Sequence, residues 1–177
     1  MFETFEHTAF RLEVRDSYSP SYEREAYENF LANRTYDLSW MRDWLSMVRE
    51  ATSKGRVFAR VRVVNMPMSD YNRWSYTLAH RNIAAGEDIR YLMRDVAQGV
   101  DLPNHDFWLF DSYKLLRMNF GEDDRFLGGE LVDDDTEIVQ HNRWRDTAQH
   151  YAIARDEFAN EEQSERTERS RSSRRSR

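Results

Sequence analysis

The feature that most constrains this chain is a change of period at residue 55. Over residues 40–54 the apolar side chains Trp40, Trp44, Met47, Val48 and Ala51 recur at helical spacing. Ser39 suits the N-cap of that helix, and Gly55 suits its C-terminal stop. From Arg56 to Val64 the period falls to two: Val57, Ala59, Val61 and Val63 alternate with Phe58, Arg60 and Arg62. A helix that passes directly into a strand is an αβ unit. It places the chain in the α/β (α+β) class.

The remaining segments extend that unit. Phe2, Phe5, Ala9 and Leu12 fall at helical spacing and predict a first helix, ended by Ser17–Pro20. Tyr22, Ala26 and Phe30 predict a second over 21–32. After Pro67, a helix is expected over 70–80 and a short strand over 88–93. Strands over 107–110, 115–120 and 126–132, joined by short turns, predict an antiparallel meander. Asp133, Asp134 and Asp135 then suit the start of a long last helix, with Trp144, Ala148, Tyr151 and Phe158 on one face. The fold expected is N-terminal helices, a mixed sheet ending in the meander, and a C-terminal helix. One domain spans 1–159. Residues 160–177 contain no apolar side chain and are expected to be disordered.

Charge and cysteine content narrow the function. Of 26 cations only Lys54 and Lys114 are lysines. Beyond residue 160 lie six Arg and four Glu, which leaves 20 cations against 28 acids in residues 1–160. An acidic body argues against nucleic-acid binding through overall charge and against adsorption to a membrane surface. Weak binding through the basic run Arg169–Arg177 is the one nucleic-acid contact left open. The absence of cysteine excludes disulfides, thiolate metal sites and a Cys nucleophile. The N-terminus lacks a basic start and an apolar run, and a cytoplasmic location is expected.

Familiar catalytic signatures are missing: there is no P-loop, no dinucleotide fingerprint and no nucleophile elbow. The five histidines never pair at i, i+3 or i+4, so neither a metal nor a cofactor is expected. Three places carry candidate ligand-binding residues. Arg60 and Arg62 share one strand face and suit a phosphate or carboxylate, or simply a solvent-facing side. Ser69, Asp70, Tyr71 and Arg73 stand where a strand gives way to a helix, a frequent position for ligand groups and equally for a plain cap. Asp106, Trp108 and Asp111 lie along an aromatic strand, where Asp111 would otherwise serve the turn. Glu87 and Arg90, beside the strand at 88–93, complete the set.

Several blocks occur in a recognisable order: Val61-Arg62-Val63-Val64, Ser69-Asp70-Tyr71, Ala85-Gly86-Glu87-Asp88-Ile89-Arg90 and Asp106-Phe107-Trp108-Leu109-Phe110-Asp111. Together with Ala9-Phe10-Arg11-Leu12-Glu13 they resemble an actinobacterial family of small proteins, the domain of unknown function 6879, over about residues 5–158. Members are often encoded beside helix-turn-helix regulators, so the resemblance implies such a DNA-binding partner. The order of elements is also similar to half of a phospholipase D-like domain. There, His105 would head the H-x-K pair, but Phe107 stands at the lysine position. The resemblance therefore implies a degenerate site.

The function expected is a non-catalytic regulatory or ligand-sensing domain that acts with a helix-turn-helix regulator and binds a small anionic ligand. The alternative is a phosphodiesterase-like enzyme with Arg60, Arg62 and Asp70 near its site.

Overall fold

In the computed structural model, which describes residues 1, 2 and 4–159, seven strands form one mixed sheet. They are β1 (Thr8–Glu13), β2 (Val57–Val64), β3 (Asp88–Met93), β4 (Phe107–Phe110), β5 (Lys114–Phe120), β6 (Phe126–Val132) and β7 (Ile153–Ala154). Their order across the sheet is β6-β5-β4-β1-β2-β3-β7. β1, β2 and β3 run parallel, while β4, β5 and β6 form the expected antiparallel meander beside β1. The helices are α1 (Arg24–Leu31), α2 (Arg42–Ser53), α3 (Asp70–Ala84), α4 (Arg94–Gly99) and α5 (Asp135–Tyr151).

The first expected helix is a strand, and it is the central one. Phe2, Phe5, Ala9 and Leu12 fit a helical period only by coincidence. The operative period is two: Phe10 and Leu12 face one side of the sheet, and Ala9, Arg11 and Glu13 the other. Both sides are covered, so a strand with apolar residues on one face can carry a buried Arg and Glu on the other.

Each face of the sheet has its own core. Phe10, Leu12, Ala59, Val61, Val63, Phe107 and Leu109 pack with Ala97 of α4 and Ala148 of α5. On the opposite face Phe58, Trp108 and Phe110 pack with Val48 and Ala51 of α2, and Ile89 and Tyr91 with Ala79 of α3. Over the middle of this second face, Ala26 of α1, Met41, and Tyr71, Trp74 and Leu78 of α3 form a further cluster.

Local details correct other expectations. Ser39 does not cap α2. It opens a 3-10 turn, Ser39–Met41, and its N–H donates to Asp37 at 3.0 Å. α4 falls in a segment without apolar periodicity and was not expected. Asp134 does cap α5, accepting from the Glu137 N–H at 2.9 Å. Trp144 and Ala148 pack as expected, but Tyr151 is exposed. Phe158 follows β7 and is buried beside Tyr91. The expectation of disorder over 160–177 lies outside the described residues. No described helix is long and apolar enough to cross a membrane.

Candidate functional site

The second face of the sheet carries a row of charge. On β1, Arg11 and Glu13 alternate with the apolar Phe10 and Leu12; on β2, Arg60 and Arg62 alternate with Val61 and Val63. Parallel pairing sets Arg11 beside Arg60 and Glu13 beside Arg62. Glu13 becomes the hub. Its Oε1 lies 2.7 Å from Arg60 Nη1 and 3.0 Å from Arg11 Nε, and its Oε2 accepts from Arg62 Nε at 2.6 Å. The Arg11 Nε contact is a charge contact rather than an aligned hydrogen bond.

A second set of groups holds the arginines from behind. Arg11 Nη2 donates to Asp106 at 3.0 Å, and Arg60 Nε to Glu87 at 2.8 Å. Arg62 Nη1 donates to the Ser75 carbonyl at 3.0 Å. Asp106 also accepts from Tyr18 Oη at 2.6 Å and from the Val14 N–H at 2.9 Å. All of these groups except Tyr18 and Arg60 are buried.

Burial opposes ionisation of Glu13, but Arg60, Arg62 and Arg11 outweigh it and hold the carboxyl well below the usual range. Burial raises the Asp106 carboxyl despite Arg11. It also raises Glu23, which accepts from Tyr71 Oη at 2.5 Å. Burial, then Asp106, pushes the Tyr18 phenol well up; burial, then Glu23, does the same to Tyr71.

The arginines, Glu13, Glu23, Tyr18 and Tyr71 line a cavity of about 530 Å³, with Asp106 and Glu87 behind them. Its walls are aromatic: Trp40, Trp44, Trp108, Tyr18, Tyr22 and Phe120 all contribute. The Arg60 guanidinium sits 5.9 Å from the ring centres of both Trp44 and Trp108. At the mouth, Arg15 pairs with Asp124 at 2.5 Å, and the Ser19 N–H donates to the Asp124 carbonyl at 3.0 Å. The segment after β1 is thereby tied to the β5–β6 turn.

The candidate residues divide cleanly. Arg60, Arg62, Tyr71 and Trp108 line the cavity, and Glu87 and Asp106 position its arginines. The other five lie elsewhere. Ser69 caps α3, accepting from the Asn72 N–H at 3.0 Å. Asp70 and Arg73 pair with each other on the exposed surface. Arg90 pairs with Asp88 of its own strand. Asp111 accepts from the N–H groups of Glu6, His7 and Thr8, fastening the chain before β1 to the β4–β5 turn.

Sequence reasoning missed Arg11, Glu13, Tyr18 and Glu23. Arg11 and Glu13 carry the same alternation as Arg60 and Arg62, a signal hidden once 2–12 is read as a helix. His105 also lies away from the cavity. It meets His141 of α5 with Nε2 atoms 3.0 Å apart, next to Phe107 on the first face. Among the described residues no group of three or more His, Asp or Glu is arranged to hold a metal ion.

The model of the domain of unknown function DUF6879 matches residues 1–160, and the chain belongs to that family. No functionally curated protein matches it.

Proposed function

We propose that this DUF6879 member is a non-catalytic ligand-sensing domain that binds a small molecule in the cavity and passes the bound state to a helix-turn-helix regulator. The observation that carries the reading is a buried Arg–Glu–Asp cluster forming the floor of an aromatic cavity of about 530 Å³. That volume suits a small-molecule site, and apolar walls with a few fixed polar groups are its usual make-up. The cluster is rigid, because Arg11 and Arg60 are each held by two carboxylates from separate segments and Arg62 by Glu13 and the Ser75 carbonyl. The closure between Arg15 and Asp124 gives an entering molecule something to move. The partner class comes from the family resemblance.

Enzymatic chemistry has less support. A general acid or base works best near its operating pH. Glu13 is driven far below neutrality, Tyr18 and Tyr71 far above it, and the raised carboxyls of Asp106 and Glu23 are each engaged by a tyrosine hydroxyl. Asp70, part of the alternative phosphodiesterase-like site, lies outside the cavity lining and pairs with Arg73 on the exposed surface.

A thermal-shift screen against a broad small-molecule collection, with pull-down and DNA-shift assays using a regulator encoded beside a family member, tests the proposal. Stabilisation by a compound that also alters regulator binding is expected. Absence of any stabilising compound, or no effect on the regulator in both assays, refutes it.

A further inference from the structure

We infer that the ligand of this cavity is flat and aromatic and carries at most one negative charge. The inference rests on the sensing reading above and specifies its ligand class.

The first argument is charge balance. Four arginines line the cavity: Arg11, Arg15, Arg60 and Arg62. Facing them are Glu13, Glu23 and Asp124 in the lining, with Asp106 and Glu87 immediately behind. Every one of these arginines already has a carboxylate partner. A phosphate dianion therefore meets no surplus positive charge. To reach the guanidinium groups it must displace Glu13, which three arginines hold at once. A buried charge without a partner is costly, and the arginine count alone is misleading on this point. A single carboxylate at Arg15 need displace only Asp124, and since both side chains are about a third exposed, solvent can take up the displaced charge.

The second argument is shape. Tyr22 packs at a tilt against Trp40, with ring centres 5.3 Å apart and planes 45° apart, and Phe120 against Phe126 at 5.7 Å and 60°. All four line the cavity, so its contents meet aromatic surface, which favours an aromatic partner. Trp40 also has a buried indole N–H without a hydrogen-bond partner among the described residues. A carbonyl or ring nitrogen on the ligand would satisfy it.

A matched series tests the class: 2-naphthamide, 2-naphthoate and 2-naphthyl phosphate, titrated calorimetrically into the full chain at pH 7.5. The flat body is constant and the charge grows. The amide and the carboxylate are expected to bind, and the phosphate at least tenfold more weakly, since a tenfold loss is the least that an unpaired second charge should cost. Tyr22→Ala, at an exposed rim position, should weaken the amide several-fold without unfolding the chain; Trp40→Ala should do so more strongly. Phosphate binding equal to or tighter than the amide overturns the inference. So does failure of all three probes while a polyanion or an aliphatic compound from the broad screen binds, an outcome that leaves the sensing reading standing. If no compound of any class binds, the sensing reading itself falls.

Discussion

Replacing Glu13 by Gln keeps the shape of the hub and removes its charge. Arg11 keeps Asp106 and Arg60 keeps Glu87, so each retains one carboxylate. Arg62 does not: Glu13 is its only carboxylate partner among the described residues, and its side chain is about 10% exposed. Breaking a buried pair from one side costs roughly 3–5 kcal/mol. The Gln oxygen still accepts one hydrogen bond, and the cavity admits some solvent, so the lower end applies: a loss of about 3 kcal/mol, a large share of an ordinary domain's stability. Urea unfolding at pH 7 should show the loss as a lower midpoint with an unchanged slope. The pH dependence has a definite sign. Glu13 is depressed in the folded state, so its stabilisation is complete above the ordinary carboxylate value of about 4.3 and is lost as pH falls toward the folded value. The difference between wild type and Glu13→Gln should therefore begin to shrink below about pH 4 and go on shrinking as the pH falls toward the folded value. A difference under about 1 kcal/mol at pH 7 would refute the claim that this cluster is a buried, mutually dependent unit.

Other expectations concern the rest of the fold. Burial, then His141, lowers His105 to about 4, and burial lowers His141, with Arg117 and Glu137 the charged groups nearby. Both rings resist protonation in the folded state while the unfolded chain takes up protons near 6.5, so stability should fall as the pH drops below about 6.5, down to about 4 for His105, and be flat above. His105→Asn should shallow that slope in urea titrations at pH 7.5 and 5; an unchanged slope would contradict the pairing. Gly86 has φ +103°, and an added Cβ would lie 2.6 Å from the Thr52 hydroxyl, which donates to the Ala85 carbonyl. Gly86→Ala should lower Tm by roughly 4–8 °C, as expected for about 2 kcal/mol in a chain of this size. Asp70→Ala removes only an exposed pair with Arg73 and should leave Tm within about a degree and the affinity of the cavity for 2-naphthamide unchanged.

Much of the fold is legible where one period dominates. The α2–β2 unit and the meander follow directly from spacing, since their apolar residues mark one face without competition. β1 is misread because its alternation includes Arg11 and Glu13, and a polar pair on a covered face looks like a break in the pattern. The missing signal is tertiary: the arginines are buried because neighbouring segments bring carboxylates to them. For the same reason Arg60 and Arg62 stand out as candidates, whereas their shared partner Glu13 does not. Asp70 and Arg73 attract notice by their position at a helix start. There, Ser69 does the capping, and the neighbouring charges face solvent.

The position of β1 bears on the order in which the molecule can be assembled. This strand emerges first during synthesis, yet its two neighbours come much later: Ala9 pairs with Phe58 on one side and with Phe110 on the other. Until β4 is available, the β1 edge that it pairs with is left without its partner. Asp106, which anchors Arg11, arrives only with β4. The charged floor is therefore completed late, when the antiparallel half closes onto the parallel half. Such long-range closure is slow and leaves the nascent strand open to wrong pairing. The cavity thus exists only in the closed sheet, since its lining draws on both halves: Arg60 and Arg62 from the parallel half, Trp108 and Met118 from the antiparallel half.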